Sequence, residues 1–335
     1  MEQWNTRDYH VGGEPVRVLT DGYRNLPGST MAEKRAALMA DGRVQCTIRE
    51  PRGHAGMYAA VLTAPVSSAS RLGVIFACND RCFPMFCGHA LLGSARAAVE
   101  AGMIPGLAQG ENRFFLDVPS GTVEAVVTLR DGVVKEVSFV NQPCFVLAKQ
   151  VEVSALGLTL PVDVVWSGSF MAYVSAEALG APLSPAVIPR AMELGYAIDI
   201  ALRELVPAFS HPLEPAFQLK NSGALVCFVT AAEGQGDVLR TRTLNIIDRN
   251  NYDRGAAGTA TCGRLALLYD QGMVLPGQAL HNYALTGRHY DAVLEGITTV
   301  GNHPAIIPRL TAETFPMGES TFCLAEDDPF PEGFL

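Results

Sequence analysis

Three consecutive residues, Cys87, Gly88 and His89, combine a thiol, an open backbone and an imidazole at the predicted start of a helix. Unpaired N–H groups and the helix macrodipole favour negative charge there, and this placement lowers the pKa of a thiol. Gly88 lets a substrate approach the backbone closely, and the N–H groups of Gly88 and His89 can receive a carboxylate. The segment therefore predicts a thiolate base beside an anion site.

Two other interpretations of this segment remain open. Cys87 can be a small buried residue that caps a helix, which is the ordinary role of a free cysteine. A metal site is the second, because Cys78, Cys82, Cys87 and His89 supply thiolates and an imidazole that suit zinc. Their C-x₃-C-x₄-C-x-H spacing lacks the paired C-x₂-C units of zinc modules, so no metal is predicted. The eight cysteines are expected to be reduced and mostly buried.

Strand-like segments separated by glycine, proline or turn dipeptides dominate both halves of the chain. The predicted strands are 16–20, 43–47, 59–63, 73–77, 113–118, 123–130 and 134–139, then 163–166, 170–174, 225–229 and 243–247. Helical spacing predicts helices over 88–101, 189–205 and 258–270. The helix at 189–205 is amphipathic and is expected at the surface, with Pro189 at a first helical position.

Each half thus holds many strands and one helix that opens on a glycine, Gly88 or Gly258. This weak internal repeat predicts two similar α/β domains that face each other, and a length of 335 residues also favours two domains. The predicted boundaries are 1–160, which carries the Cys87 motif, 161–312, which carries Asp253 and Gly258, and a tail at 313–335.

Charge and composition exclude several classes of function. The net charge is −9 and no run of Lys or Arg occurs, so neither nucleic acid nor a membrane is an expected partner. The polar first residues do not resemble a signal peptide, and no apolar stretch approaches the length of a membrane span, so a cytoplasmic location is expected. Because there is no phosphate-binding loop and no PLP-type lysine, no cofactor is expected.

Five motifs, in this order and spacing, resemble those of the proline racemase family, which includes proline racemases, 4-hydroxyproline 2-epimerases and trans-3-hydroxy-L-proline dehydratases. DYHVGGEPVR at 8–17 resembles D-x-H-x-x-G-x-P-x-R, and EPRGHAGMY at 50–58 matches E-P-R-G-H-x-x-M-Y. CGH at 87–89 matches M-C-G-H, with Phe86 where Met is usual. DVVWSGSF at 163–170 resembles D-x-x-Y-G-G-x-F, from which Trp166 and Ser167 depart. DDPFPEGF at 327–334 matches D-D-P-F-x-x-G-F.

The resemblance implies an α/β (α+β) fold of the diaminopimelate-epimerase type. Two similar domains each wrap strands around a central helix, the tail returns to the first domain, and the active site lies in the cleft between the domains. It also implies cofactor-independent removal of the α-proton from a small imino acid, with Cys87 as the first catalytic cysteine. A monomer or a homodimer is the expected assembly.

The second family motif, D-R-S-P-C-G-T-G-T-S-A, aligns with DRGAAGTATCG at 253–263, which places Ala257 at the second catalytic cysteine. Inversion at Cα needs two acid/base groups, one on each face, whereas dehydration needs one base. Cys262 lies five residues further along the helix, about 140° away from Ala257, and is interpreted as a packing residue. Three functions stay open: a trans-3-hydroxy-L-proline dehydratase with Cys87 as the single base, a 4-hydroxyproline epimerase or proline racemase that uses water or another neighbour, and a non-catalytic imino-acid-binding protein.

The remaining candidate site residues take their roles from the resemblance. His89 is expected to orient the substrate, or else to face solvent at the helix start. Asp253 is expected to accept a hydrogen bond from the ring N–H of the substrate, or else to form a turn. Gly258 and Thr259, like Gly88, are expected to hold its carboxylate. Residues for which structural or ordinary roles are expected are Glu50, Arg52 and His54 (ion pairs), His10 (a turn), and His211, His281, His289 and His303.

Overall fold

The computed structural model describes residues 2–79, 83–235, 237–275 and 277–334. Its strands are β1 (Glu2–Val11), β2 (Glu14–Leu19), β3 (Tyr58–Thr63), β4 (Ser70–Cys78), β5 (Gly110–Val118), β6 (Gly121–Arg130), β7 (Val133–Val140), β8 (Cys144–Ala155), β9 (Leu158–Trp166), β10 (Phe170–Ser175), β11 (Leu225–Val229), β12 (Glu233–Gln235), β13 (Val238–Ile246), β14 (Tyr252–Asp253), β15 (Ala279–Tyr283), β16 (His289–Val300), β17 (His303–Ala312) and β18 (Thr314–Leu324). Its α-helices are α1 (Met31–Asp41), α2 (Val44–Ile48), α3 (Gly88–Glu100), α4 (Ile188–Arg203), α5 (Leu219–Ser222) and α6 (Gly258–Asp270). None of the helices in these ranges has both the length and the apolarity that crossing a bilayer requires.

The chain divides into two compact units. Unit 1 consists of Met1–Phe139 and Thr311–Leu335, and unit 2 consists of Val140–Leu310. The first division therefore falls before β8 rather than at the predicted residue 160, because β8 pairs along most of its length with β9. The C-terminal tail, predicted to begin at residue 313, belongs to unit 1 from residue 311, and its strand β18 pairs with β1.

The sheet of unit 1 has a mixed pattern of pairing. β18–β1 and β1–β2 are antiparallel, β2–β3 is parallel, β3–β4 is antiparallel, β4–β5 is parallel and β5–β6 is antiparallel. The two parallel pairs need crossover connections. α1 and α2 lie in the first crossover, and α3 lies in the second.

Unit 2 repeats this pattern strand for strand. β8–β9 and β9–β10 are antiparallel, β10–β11 is parallel, β11–β13 is antiparallel, β13–β15 is parallel and β15–β16 is antiparallel. Again one crossover holds two α-helices, α4 and α5, after two short 3₁₀ helices, and the next holds one α-helix, α6. The internal repeat indicated by the two glycine-led helices therefore extends to the strand topology, because the two units share the same order of parallel and antiparallel pairs.

The single crossover helices α3 and α6 are the central helices of their units. Each has 13 residues, begins at a glycine, and is buried over most of its length. Each also has a glycine at its sixth position where it meets a strand. A Cβ on Gly93 would lie 2.5 Å from Val16 Cγ1 of β2, and a Cβ on Gly263 would lie 2.5 Å from the Tyr173 hydroxyl of β10. The two glycines thus allow a close approach of helix to sheet that no larger residue permits.

The helix pairs of the first crossovers cover the apolar cores of their units. In unit 1, α1 begins with a capping box in which Thr30 and Glu33 exchange hydrogen bonds, and Leu38 on its inner face is fully buried. In unit 2, α4 carries Pro189 in its first turn, as its sequence predicts. Its buried stripe, Ala191, Leu194, Ile198 and Leu202, packs into the core formed with the sheet.

The strand predicted at 43–47 is wrong, because these residues form α2 (Val44–Ile48). The sequence VQCTI alternates apolar and polar residues with the period of two that favours a strand. All five side chains are nevertheless buried, so the alternation does not mark a solvent-facing side of the segment. The left-handed Gly42, with φ 71°, ends α1 just before it and turns the chain into the second helix.

Candidate active site

Cys87 is the N-cap residue of α3, with an extended backbone at φ −141° and ψ 106°. Its side chain is 8% exposed, so the thiol is close to the surface of unit 1 but almost desolvated. The first intrahelical hydrogen bond runs from Leu91 N–H to the Cys87 carbonyl at 2.9 Å. The N–H groups of the three preceding helical residues therefore have no helical acceptor and can bind an anion beside the thiol.

His89 lies against the sulfur of Cys87. Its Nδ1 is 3.4 Å from Cys87 Sγ, and its ring packs edge-on against Tyr58 at 4.8 Å between centroids. The side chain is 3% exposed, which excludes the solvent-facing position that was one of its two predicted roles. Burial lowers the pKa of His89 to about 3. The imidazole is thus neutral near pH 7, and it either donates Nδ1–H to a thiolate or accepts the thiol proton.

Phe86, where the family motif has Met, fixes the loop that leads into α3. Its ring makes edge-on contacts with Phe76 at 6.3 Å and with Phe139 at 5.4 Å between centroids. The neighbouring carbonyl of Met85 accepts a hydrogen bond from Ser120 N–H at 3.1 Å. The ring of Phe86 is buried between these two rings, and this packing positions the loop that leads into Cys87.

Ala257 is the N-cap residue of α6, and it holds a backbone conformation unlike that of Cys87. Its φ is 55° and its ψ is 119°, a region that costs a non-glycine residue about 1–3 kcal/mol. The carbonyl of Ala257 accepts hydrogen bonds from Thr261 N–H at 2.8 Å and from Thr261 Oγ1 at 2.9 Å. Asn282 Nδ2 in turn donates to Thr261 Oγ1 at 3.0 Å and to the carbonyl of Ala256. This network keeps the chain in the strained conformation.

The predicted carboxylate-binding residues Gly258 and Thr259 form the first turn of α6. Both are buried, and their N–H groups precede the first helical donor, Thr261. Neither α3 nor α6, both fully described, has an acidic residue in its first turn. Each helix therefore presents a positive end that no adjacent carboxylate on the same turn neutralises.

Asp253 is 7% exposed and stands on β14, five residues before Gly258. Its Oδ1 accepts a hydrogen bond from Gly255 N–H at 2.7 Å, which shapes the turn between β14 and α6. This is the turn role considered for Asp253 from the sequence. The hydrogen bond from Gly255 occupies Oδ1 of Asp253, and Oδ2 can still accept a hydrogen bond from a substrate.

Cys262 is completely buried inside unit 2. Burial raises its pKa to about 12, opposed by a hydrogen-bonding contribution from Asn141. Near pH 7 it is therefore a protonated thiol within the core, in keeping with the packing role that its helical angle predicts. It supplies no base to replace the thiol that Ala257 lacks.

The matched motifs at 8–17, 50–58 and 327–334 meet within unit 1 as a structural network. Arg17 forms a bidentate ion pair with Asp8, at 3.0 and 2.7 Å, and its guanidinium lies over the Phe322 ring. Arg52 forms an ion pair with Asp328. The Glu50 carbonyl accepts a hydrogen bond from Phe334 N–H at 2.8 Å. Arg52 thus forms an ion pair, as expected from the sequence, whereas Glu50 contributes its backbone carbonyl and His54 Nδ1 lies 2.9 Å from the carbonyl oxygen of Ala55.

One smaller expectation differs from the structure. His10, predicted to be a turn element, is on β1, and the turn is made by Gly12 and Gly13, which have positive φ. The strand continues through His10 because its backbone pairs with both β2 and β18. Of the cysteines weighed as zinc ligands, Cys78 is buried at the end of β4 and Cys82 lies outside the described residues.

Sequence reasoning missed Thr261 and Asn282 as the residues that hold Ala257. Thr261 lies four residues after Ala257, a spacing at which a helical threonine can bond back to a carbonyl. Asn282 lies on β15 and is brought there only by the crossover.

Each unit, described by itself, thus has a buried helix N-terminus prepared for an anion, and unit 1 adds a thiol with a neutral imidazole. A repeated α/β topology with a glycine-led central helix in each unit defines the class of protein to which the chain belongs.

Comparisons with known proteins identify the family. The sequence profile of the proline racemase family matches residues 7–335. The chain is 31% identical to a trans-3-hydroxy-L-proline dehydratase of Burkholderia cenocepacia, over 99% of this chain and 97% of the relative. It is 32% identical to a 3-hydroxyproline 2-epimerase of Burkholderia multivorans, again over 99% and 97%. A crystal structure of a hydroxyproline epimerase from Agrobacterium vitis with bound trans-4-OH-L-proline matches with a TM-score of 0.87 and 26% identity, over 100% of this chain and 95% of that one.

The chain belongs to the proline racemase family. Its mixed α/β fold is that of the family, as the sequence motifs predict.

Proposed function

We propose that the protein is a cofactor-independent lyase that dehydrates trans-3-hydroxy-L-proline, with Cys87 as its single base. The observation that carries the proposal is the pairing of Cys87 Sγ with the buried His89 at 3.4 Å on the start of α3. A thiolate there can remove the α-proton while the first N–H groups of the helix receive the substrate carboxylate. Two relatives, which are 31% and 32% identical to this chain, are named for 3-hydroxyprolines, and this supports the substrate class.

The chemistry needs only one proton acceptor. Cys87 takes the α-proton, the C–H electron pair forms the Cα=Cβ double bond, and the β-hydroxyl leaves with the C–O electron pair. Proton and hydroxide together make up one water, and the product is a pyrroline carboxylate. The helix N-terminus stabilises the negative charge that develops on the carboxylate as the proton departs.

His89 assists Cys87 as a neutral group. Because burial lowers the pKa of His89 to about 3, an imidazolium is not available near pH 7 to form an ion pair with the thiolate. Instead its Nδ1 exchanges one hydrogen bond with the sulfur, either as acceptor from the thiol or as donor to the thiolate. We assign His89 the positioning of the sulfur rather than the binding of the substrate ring.

The second motif separates elimination from inversion. If it serves the opposite face of the substrate, as the family resemblance implies, Ala257 brings no titratable side chain there. Inversion requires a proton from that face, and Cys262, which burial keeps protonated in the core, does not provide it. Elimination has no such requirement, so the change from cysteine to alanine favours the dehydratase.

The direct test is to incubate the full-length chain in D₂O with trans-3-hydroxy-L-proline, trans-4-hydroxy-L-proline and L-proline and to follow each by NMR. Formation of a pyrroline product from the 3-hydroxy substrate alone supports the proposal. Epimers of any substrate overturn the one-base assignment, and absence of both product and α-deuterium exchange overturns the assignment of catalysis. Cys87→Ser is expected to abolish turnover, whereas Cys323→Ser, which changes an exposed cysteine of unit 1, is the matched control.

Ala257→Cys is the complementary variant. It adds a thiol at the position that the resemblance assigns to the second base, and a cysteine has no branch at Cβ to conflict with the backbone. We expect it to add Cα inversion to the wild-type elimination. The thiol variant Ala260→Cys, one helical turn further into α6, is the control and is expected to add none.

A further inference from the structure

Two histidines that carry no sequence pattern converge with an aspartate on the β15–β16 hairpin of unit 2. His281 on β15 is directly opposite Asp291 on β16, and His289 precedes Asp291 by two residues on the same strand. Successive side chains of a strand alternate between faces, so all three point to the same face of the hairpin. Tyr290, between the two β16 residues, points the other way, and its hydroxyl approaches Gly255 of the second motif.

The potential ligand atoms of these side chains surround a common point. His281 Nε2 is 3.3 Å and His289 Nε2 is 3.2 Å from Asp291 Oδ1. All three atoms lie within 4.8 Å of one another. Ligand atoms bound to zinc at its usual distances in tetrahedral geometry are about 3.3 Å apart. The two nitrogen–oxygen separations are close to this value.

The Oδ1 atom of Asp291 has the environment of a potential cation ligand. Asp291 Oδ1 is shielded from solvent and makes no hydrogen bond of acceptable geometry with the described residues, although two imidazole nitrogens are so near. A carboxylate oxygen in this position is left without the contacts that normally offset its desolvation. A cation between the three atoms would supply them.

One neighbouring charge opposes a cation at this site. Arg240 is beside His281 in the β13–β15 pairing and carries a positive charge.

We propose that His281, His289 and Asp291 form a binding site for a first-row divalent transition-metal ion, for which zinc is the natural probe. Two imidazoles and one carboxylate are ligands that zinc accepts, and three protein ligands leave a position for water. The side chains of these residues are 25–38% exposed, so an ion can reach them from solvent. The ion would fasten β16 to β15 and so hold Tyr290 against the Gly255 turn. This inference does not depend on the proposed reaction.

The test is a zinc titration followed by calorimetry. The full-length chain with Cys87→Ser and Cys323→Ser is used, so that the thiol of the candidate active site and the exposed thiol cannot bind the metal. We expect one saturable site. Each ligand variant should bind zinc at least about tenfold more weakly, because changes to residues that only contact a ligand already cost that much. These variants are His281→Gln, His289→Gln and Asp291→Asn. Arg240→Gln should strengthen zinc binding.

Matched controls separate this site from general surface binding. Glu295→Gln removes a carboxylate further along β16, and His54→Gln removes an exposed histidine of unit 1. Neither should change the affinity for zinc. Circular dichroism shows whether each variant is folded. Equal affinity in the three ligand variants and the controls, or the absence of saturable binding at micromolar zinc, overturns the proposal.

Discussion

The neutral, desolvated state of His89 has a measurable consequence for stability at acid pH. Its pKa is 6.5 in the unfolded chain and about 3 in the folded protein, because burial disfavours the charged ring. Between these values the unfolded chain binds a proton that the folded chain does not. Stability therefore falls as the pH falls below 6.5. From the two pKa values, His89 alone removes about 2 kcal/mol of unfolding free energy between pH 7 and pH 5.

The assay is urea unfolding at pH 7 and pH 5, followed by circular dichroism, for the wild type and His89→Gln. Other groups titrate in the same range, so the quantity of interest is the difference between the two proteins in their loss of stability. We expect the wild type to lose about 2 kcal/mol more than His89→Gln. The exposed His54→Gln should behave as the wild type does. If wild type and His89→Gln lose the same amount, His89 takes up its proton in the folded state, and an ion pair with the Cys87 thiolate replaces the neutral pair argued above.

Three further predictions concern packing, strain and charge. Gly93→Ala should destabilise unit 1 by about 1–3 kcal/mol in urea unfolding, because the new Cβ would lie 2.5 Å from Val16 Cγ1; Val16→Ala should restore part of the loss if this contact is the cause. Ala257→Gly should stabilise the protein by about 1 kcal/mol, because glycine adopts a positive φ without strain. Ala260→Gly within α6 should destabilise it by a similar amount. Lower stability in both variants would contradict the proposed strain at Ala257. Asp8→Asn should cost about 3 kcal/mol, because it leaves the Arg17 guanidinium, with 8% of its side chain exposed, without its counter-charge. Glu111→Gln, at the exposed pair with Arg113, should cost less than about 1 kcal/mol, and equal losses at the two pairs would contradict the role of burial.

The elements that position the site could be predicted from the sequence because their signals are local. The α6 helix begins and ends where its spacing and flanking residues indicate, at Gly258 and Asp270, and α3 begins at Gly88 as predicted. The α2 segment could not be predicted, because its alternation of apolar and polar residues has the period of a strand although all five residues are buried in a helix. Short-range patterns thus identified the two helix N-termini on which the proposed chemistry depends.

Contacts between distant parts of the chain could not be predicted in this way. Arg52 and Asp328 are 276 residues apart, and only the pairing of the tail with the first strands brings them together. His281 and Asp291 are close in sequence, but the hairpin register that sets them opposite each other depends on the turn between them. The neutral state of His89 likewise depends on its burial, which the motif around Cys87 does not reveal.

Unit 1 takes its edge strand β18 from the C-terminal end of the chain, so its sheet can be completed only late in synthesis. In unit 2 the first hairpin, β8–β9, joins neighbours such as Ser154 and Thr159, five residues apart. The equivalent pair in unit 1, β18–β1, joins Gln3 to Cys323 across 320 residues. Closing the longer loop costs about 4 kcal/mol more in chain entropy. At ribosomal rates of about 5–20 residues per second, β1 waits roughly 15–60 s for this partner.

During that interval one edge of β1 is open to any other strand that meets it. Unit 2 can meanwhile complete its sheet from residues that are already synthesised. Unit 1, which carries Cys87, is therefore the last part of the molecule to complete its sheet, because that step waits for almost the whole chain to be synthesised.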